Sequence, residues 1–142
     1  MHAGPAAVIR RFNADVINGH NLDAVDALVG DDFVDRTPIP GQGPGREGLK
    51  QALGGFLGAF ADLRLEVLTE SADGDQLAQV VRFTGTNDGP FMGMPATGKS
   101  ISVLGSDFIR VCEGRVVERW GFVDQGAMML QLGDAPEGPA GS

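Results

Sequence analysis

Two charged residues, Asp107 and Arg119, are the strongest candidates for chemistry in this sequence. They lie in two stretches, 103–111 and 115–123, whose side chains alternate with the two-residue period of a β-strand. Both fall on the apolar side of that alternation, where burial favours a neutral acid and a nearby guanidinium favours a carboxylate. Such a carboxylate could abstract a proton next to a carbonyl group, and the arginine could stabilise the enolate that forms. The alternative is a buried salt bridge that only satisfies both charges.

The turn between these stretches decides which residues face each other. A two-residue turn would force a positive φ on Glu113, so we expect a three-residue loop in which Gly114 alone is left-handed. In that register the acid faces the arginine, and Gly105 faces Gly121 beside them. The two glycines would leave space next to the charged pair. The pair would then form the polar floor of a pocket or a structural ion pair.

The length and composition are those of one globular domain. With 142 residues, 42% of them hydrophobic, the chain can bury a sizeable core. We expect a single domain over 1–134 and a flexible, Pro- and Gly-rich tail at 135–142. The first residues show no charged region followed by an apolar one, which argues against a signal peptide. We therefore predict a cytoplasmic protein.

Charge and residue types exclude several function classes. The formal net charge of −8 argues against nucleic acid or an anionic membrane as a partner. No apolar run approaches the ~20 residues of a membrane span. The single cysteine, Cys112, cannot form an internal disulfide, and His2 and His20 are too few and too peripheral for a zinc site. No phosphate-binding loop, catalytic triad or metal motif is present in the sequence.

Helical and strand periodicities predict an α+β domain. A last helix begins at Asp124, whose carboxylate would cap it. A strongly curved antiparallel sheet wrapped over the N-terminal helices would form a cone with one open mouth. The predicted helices before Asp124 cover 5–17, 21–29 and 46–60, and the predicted strands cover 31–36, 63–70, 76–86 and the two stretches described above.

Two loops could border a pocket. The stretch 37–45 is punctuated by proline and glycine at almost every step, so it is a lid, a pocket rim or a plain connection. The stretch 87–98 carries Phe91, Met92 and Met94, which would cover a cavity, meet a second subunit or pack on the loop's own core.

Other side chains complete the set of candidates. Phe83 would belong with the loop residues to an apolar wall, and either Asp35 or Arg36 would point into the mouth of the cone. Trp120 and Phe122 fall on the face opposite the charged pair, where we expect a second subunit to cover them. A register slip of one residue would instead make Trp120 a wall of the pocket.

A group of residues spread over nearly the whole chain carries a family resemblance. They are Phe12-Asn13, Asn18-Gly19, Gly45, the stretch 91–95 with 97–99, Arg110 with Gly114, Glu118 with Trp120, and Asp124 with 131–133. In this order they resemble the SnoaL-like polyketide cyclases, which share the cone-shaped NTF2-like fold with ketosteroid isomerase. That fold hosts enzymes and binding proteins, so the resemblance does not specify one activity.

The resemblance implies a mechanism that needs no cofactor. In the cyclases an aspartate on the last strand moves a proton during an aldol closure, and a histidine on the neighbouring strand holds substrate oxygens. This sequence departs from that pattern, because the aspartate position corresponds to Gly121 and the histidine position to Asp107. Gly121 would then belong to the substrate site without supplying a carboxylate.

These observations lead to three functional hypotheses. The first is a cofactor-independent enzyme on a small, apolar, oxygenated molecule of polyketide type, catalysing cyclisation, isomerisation or dehydration through Asp107 and Arg119. The second is a binding or accessory protein without catalysis, favoured by Gly121. The third is an epoxide hydrolase with an acid–arginine–acid set, for which Asp35 is the second acid. In each case we expect a homodimer.

Overall fold

The computed structural model describes residues 3–133, which form an α+β fold. The helices are α1 (Pro5–Arg11), α2 (Val25–Leu28), α3 (Gly45–Ala59) and α4 (Gln125–Leu132), with a π-helix at Phe12–Asn18 and a 3-10 turn at Leu22–Ala24. The strands are β1 (Val29–Asp35), β2 (Arg64–Asp73), β3 (Gln76–Thr86), β4 (Ser100–Cys112) and β5 (Arg115–Val123). The tail predicted at 135–142 lies outside the described residues. Within the described part, none of the helices has the length and apolar character needed to cross a membrane.

One curved, unclosed sheet carries the fold, with the strand order β1-β5-β4-β3-β2. The last four strands pair antiparallel, as expected, and the predicted α+β class is confirmed. β1 lies parallel to β5 at the edge, with Asp35 opposite Arg119. The sequence pattern did not indicate this pairing, because a short strand carries no signal of its direction. This parallel pairing brings the end of β1 to the centre of β5.

The core lies between the helices and the concave face of the sheet. Alternation along β4 places Ile101, Val103 and Ile109 on that face, each at most 6% exposed, while Ser102, Leu104 and Phe108 on the other face are exposed. Asp107 lies on the same concave face as the three buried side chains. The strand therefore delivers one carboxylate to an apolar interior.

The first helix changes its winding after Arg11. The segment Phe12–Asn18 is a π-helix, a form found mostly as short insertions and frequently at functional sites. Asn13 in it is 7% exposed and turns into the core. At its end the Asn18 side chain accepts from Leu65 N (2.7 Å) and donates to Leu65 O (3.0 Å). These bonds fix the helix end to β2.

The hairpin between β4 and β5 differs from the predicted loop. Glu113 and Gly114 both have positive φ, at 52° and 76°, and form a two-residue turn. The expectation that Gly114 alone is left-handed was wrong, since the twist of this turn type matches the twist of the strands and outweighs the strain on one glutamate. A bulge next to Val111 then shifts the register.

This shift pairs Asp107 with Gly121 and Ile109 with Arg119, so the predicted direct pairing of Asp107 with Arg119 was wrong. Along 118–123 the displacement is two residues, which leaves these side chains on their predicted face of the sheet. Asp107 and Arg119 therefore still share the concave face and meet diagonally. Before the bulge the prediction was wrong, because Val116 pairs with Val111 and is buried on the concave face.

Candidate active site

A cavity of about 110 Å³ lies between the helices and the concave face of the sheet. Its side-chain polar groups come from Asn13, Gln79, Asp107 and Arg119. The rest of its lining is mainly aliphatic and aromatic, as in many small-molecule sites. These residues include Ile9, Phe12, Ile17, Phe33, Leu49, Leu53, Phe56, Leu57, Leu65, Phe83, Ile109 and Val116.

The guanidinium of Arg119 lies between two carboxylates. Its Nε is 3.4 Å from Asp107 Oδ1, and its Nη1 donates to both oxygens of Asp35, at 3.2 and 3.3 Å. The side chain of Asp35 is only 4% exposed, that of Asp107 is 14% exposed and that of Arg119 is 30% exposed. The sequence-predicted acid and arginine are thus in contact at the cavity, and Asp35 joins them from β1.

Asp35 is held from the side away from the cavity. Its Oδ1 accepts from the backbone N–H of Thr37 (3.1 Å), and its Oδ2 accepts from Gln42 Nε2 (2.9 Å). Asp35 itself is not among the cavity-lining residues. Of the two residues predicted to point into the mouth of the cone, Arg36, which follows β1, turns away from the cavity and binds Glu118 at 2.9 Å. The loop 36–44 therefore acts as the support of a site carboxylate.

Two buried amides, Gln79 and Asn13, form a hydrogen-bonded chain that orients Asp107. The sequence analysis did not identify either of them as a site residue. Gln79 Nε2 donates to Asp107 Oδ2 (3.0 Å), and Gln79 Oε1 accepts from Asn13 Nδ2 (3.1 Å). Gln79 is 4% and Asn13 7% exposed. A signal was present for Gln79, since it is the polar member of the apolar face that also contains Leu77 and Val81. Asn13 lies in the π-helix, and no local sequence pattern predicts that helix.

The two predicted glycines do leave space, and two side chains occupy it. A Cβ at Gly121 would overlap the guanidinium of Arg119 and lie 2.7 Å from Asp107 Oδ1. A Cβ at Gly105 would lie 2.8 Å from the ring of Phe83. The Gly121 N–H donates to the Thr37 hydroxyl at 2.8 Å. The space beside Gly121 is therefore occupied by a guanidinium contributed from two residues away.

The remaining predicted wall residues occupy different surroundings. Phe83 lines the cavity, whereas Phe91 packs edge-on against Phe56, with ring centroids 5.2 Å apart, and does not line it. Met92 and Met94 stand at the tip of their loop, 59% and 46% exposed, and do not reach the cavity. The turn at this tip, with Phe91 bridged to Met94, points these methionines outward.

Trp120 lies on the convex face of the sheet. It pairs with Phe108, and Phe122 follows it on the same face. Phe108, Trp120 and Phe122 border a shallow groove, and together with Leu104 they are 38–61% exposed. Trp120 is therefore not a wall of the cavity.

Across residues 3–133, no group of three or more His, Cys, Asp or Glu side chains is arranged to hold a metal ion. The polar groups that line the cavity are one carboxylate, one guanidinium and two amides, and a second carboxylate, Asp35, contacts the guanidinium from behind. Such a set can bind an oxygen acceptor, take a proton and return it.

Comparison with known proteins identifies relatives of this chain. The family model of the SnoaL-like polyketide cyclases matches residues 7–132. Similar solved structures include TsrD from Streptomyces laurentii, at 25% identity and a TM-score of 0.82, covering 92% of this chain and 95% of that chain. No curated protein matches the chain significantly.

Two further Streptomyces structures are similar. IdmH from Streptomyces antibioticus, a candidate polyketide cyclase, is 27% identical at a TM-score of 0.80, covering 92% of this chain and 99% of that chain. AclR from Streptomyces galilaeus, a candidate hydroxylase, is 27% identical at a TM-score of 0.80, with 94% and 83% covered. All three likenesses extend over nearly the whole described fold.

Proposed function

The chain belongs to the SnoaL-like polyketide cyclase family, and from this premise we propose that it is a cofactor-independent enzyme that moves a proton within a small, apolar, oxygenated molecule of polyketide type. The observation that carries the proposal is the contact of Asp107 with Arg119 at the floor of a largely apolar cavity. The reaction is a cyclisation, an isomerisation or a dehydration, all of which begin with the same step.

In that first step Asp107 takes a proton from the carbon next to a carbonyl group. The electron pair of the C–H bond moves onto the carbonyl oxygen, and the positive charge of Arg119 stabilises the enolate. The enolate then attacks a second carbonyl of the same molecule, takes the proton back at another carbon or expels a β-hydroxyl group. Asp107 returns its proton to the new alkoxide, to the accepting carbon or to the departing hydroxide, which leaves as water, and the carboxylate is restored.

The position of Asp107 supports this assignment within the family. Asp107 and Gly121 are direct partners across β4 and β5, so the two positions that the resemblance associates with catalysis face each other. On this resemblance, the carboxylate that the cyclases carry on the last strand would be replaced here by one on β4, at the same depth in the sheet. Gln79 and Asn13 orient this carboxylate from below.

Deuterium exchange into a simple ketone tests the proposal without knowledge of the natural substrate. The probe is 2-tetralone, an uncharged ketone with an acidic C–H bond next to its carbonyl. We expect the protein in D₂O to exchange this position faster than buffer alone, as followed by proton NMR. Binding of the ketone without any accelerated exchange would instead support a non-catalytic binding protein.

The contact of Arg119 with both Asp35 and Asp107 favours a second candidate, the hydrolysis of an epoxide. Asp107 would activate water, and the other acid would protonate the epoxide oxygen. Both oxygens of Asp35 already accept hydrogen bonds, and the residue does not line the cavity. Proton transfer by Asp107 is therefore the better supported function. If the protein converted cyclohexene oxide in labelled water to a diol that carries one ¹⁸O atom, epoxide hydrolysis would become the better supported function.

We also propose a homodimer built on the convex face of the sheet. Leu104, Phe108, Trp120 and Phe122 form an exposed apolar surface there, which a second copy would remove from water. Light scattering after size exclusion should give twice the chain mass at micromolar concentration. Replacing Trp120 and Phe122 by serine should yield a monomer, whereas substitution of exposed Leu130 on α4 should leave the dimer intact. A wild-type monomer would contradict the proposal.

A further inference from the structure

We propose that Asp35 makes the cavity selective for uncharged oxygen compounds by preventing Arg119 from binding a carboxylate. The inference rests on the proposed function only in placing the ligand in this cavity. It concerns which molecules enter, whether or not they are converted.

The hydrogen bonds of the site define its charge. Asp35 accepts from Thr37, Gln42 and Arg119, and Asp107 faces Gln79 Nε2 and Arg119 Nε. Each of these partners offers an N–H to the carboxylate oxygens, so both acids are surrounded by donors, as ionised carboxylates require. Two carboxylates and one guanidinium give the site a net charge of −1. An anionic ligand would therefore meet net repulsion in an apolar enclosure, where charges interact more strongly than in water.

The donors of Arg119 define what the ligand must offer. Its Nε faces Asp107 and its Nη1 binds Asp35, while its Nη2 makes no hydrogen bond among residues 3–133. This Nη2 lies beside the Cα of Gly121, where the absence of a side chain leaves room for it. A ligand that satisfies Nη2 must present an acceptor, such as a carbonyl, ester or epoxide oxygen. A protonated amine presents donors only and cannot satisfy it.

Asp35 is the residue that separates these ligand classes. Without its negative charge, Arg119 would be shared with Asp107 alone, and the net charge of the site would be zero. A guanidinium binds a carboxylate well when it is not already engaged by competing acids. Asparagine at position 35 keeps an oxygen for Thr37 and Arg119 but removes the charge. Asp35→Asn should therefore admit carboxylates.

Titration calorimetry with three matched probes tests this selectivity: methyl phenylacetate, phenylacetate and phenethylamine. The wild-type protein should bind the ester at least about tenfold more tightly than phenylacetate, which the net charge repels. It should also bind the ester more tightly than phenethylamine, which offers no acceptor to Arg119 Nη2. In Asp35→Asn the ratio of the ester affinity to the phenylacetate affinity should fall by about tenfold. Glu66→Gln makes the same change of charge on an exposed residue of β2 and should leave this ratio unchanged.

Equal binding of ester and phenylacetate by the wild type would overturn the inference, and so would preferential binding of phenethylamine. A ratio in Asp35→Asn equal to that of the wild type would overturn it as well. Absence of saturable ester binding would also contradict it, since the cavity would then not accept an uncharged oxygen compound. None of these measurements involves turnover. If the ester preference holds but ketone exchange is not accelerated, the proposed function fails and the selectivity stands.

Discussion

Asp107→Asn should lower the rate of deuterium exchange into 2-tetralone by about 10²- to 10⁴-fold, the range expected for loss of a positioned general base. The amide is the same size as the carboxylate and can still accept the hydrogen bond from Gln79 Nε2 at its Oδ2 position. What it cannot do is take the proton. The folded structure should be retained, with a melting temperature within a few degrees of the wild type.

Two comparisons make this result specific. Asp124→Asn changes another carboxylate to an amide, but Asp124 caps α4 through the N–H of Ala127 (3.0 Å) and does not line the cavity. It should keep exchange near the wild-type rate, even if it loses some stability. Undiminished exchange in Asp107→Asn, with the fold intact, would show that the base lies elsewhere. The assignment of Asp107 would then be wrong.

Gly121→Ala should be the second substitution with a large effect, although it adds a single methyl group. The new Cβ would overlap the guanidinium of Arg119 and approach Asp107 Oδ1 to 2.7 Å. Arg119 must then move away from the floor of the cavity, and enolate stabilisation is lost with it. We expect exchange to fall by about 10²- to 10³-fold, as for loss of one oxyanion donor, and stability to fall by about 1–3 kcal/mol through overpacking.

Gly55, a glycine in the helix α3, provides the matched control for Gly121. A Cβ at Gly55 would meet no heavy atom within 4 Å, so Gly55→Ala should leave exchange unchanged and raise the unfolding free energy by about 0.5–1 kcal/mol. Chemical denaturation and the ketone exchange assay together separate the two effects. If Gly121→Ala exchanged the ketone as fast as Gly55→Ala, the position of Arg119 would not matter to the reaction.

The sequence was sufficient to predict the face on which the chemistry lies. Asp107 interrupts the alternating apolar positions of β4, and Arg119 does the same on β5, and this pattern survives any register error of two residues. The cap at Asp124 was also correct, because an acidic side chain before a helix has a local reason to bond the free N–H groups. These features depend on local periodicity and local hydrogen bonding.

The parts that the sequence did not reveal depend on contacts between distant segments. The parallel pairing of β1 with β5 brings Asp35 to Arg119, over a separation of 84 residues. Asn13, in the π-helical segment, reaches Gln79 over a separation of 66 residues. The turn at Glu113 adopts a strained φ that suits the strand twist, a balance that local propensity does not decide. The dimer and the cytoplasmic location stay predictions.

The most direct test of the central claim is a crystal structure of the protein with 2-tetralone bound. We expect the ketone inside the apolar cavity, with its carbonyl oxygen within about 3 Å of Arg119 Nη2 and its acidic carbon within reach of an oxygen of Asp107. That geometry would place the base and the oxyanion donor on opposite sides of one enolisable bond. A ketone bound in the groove beside Trp120, or in the cavity with its carbonyl turned away from Arg119, would contradict the account.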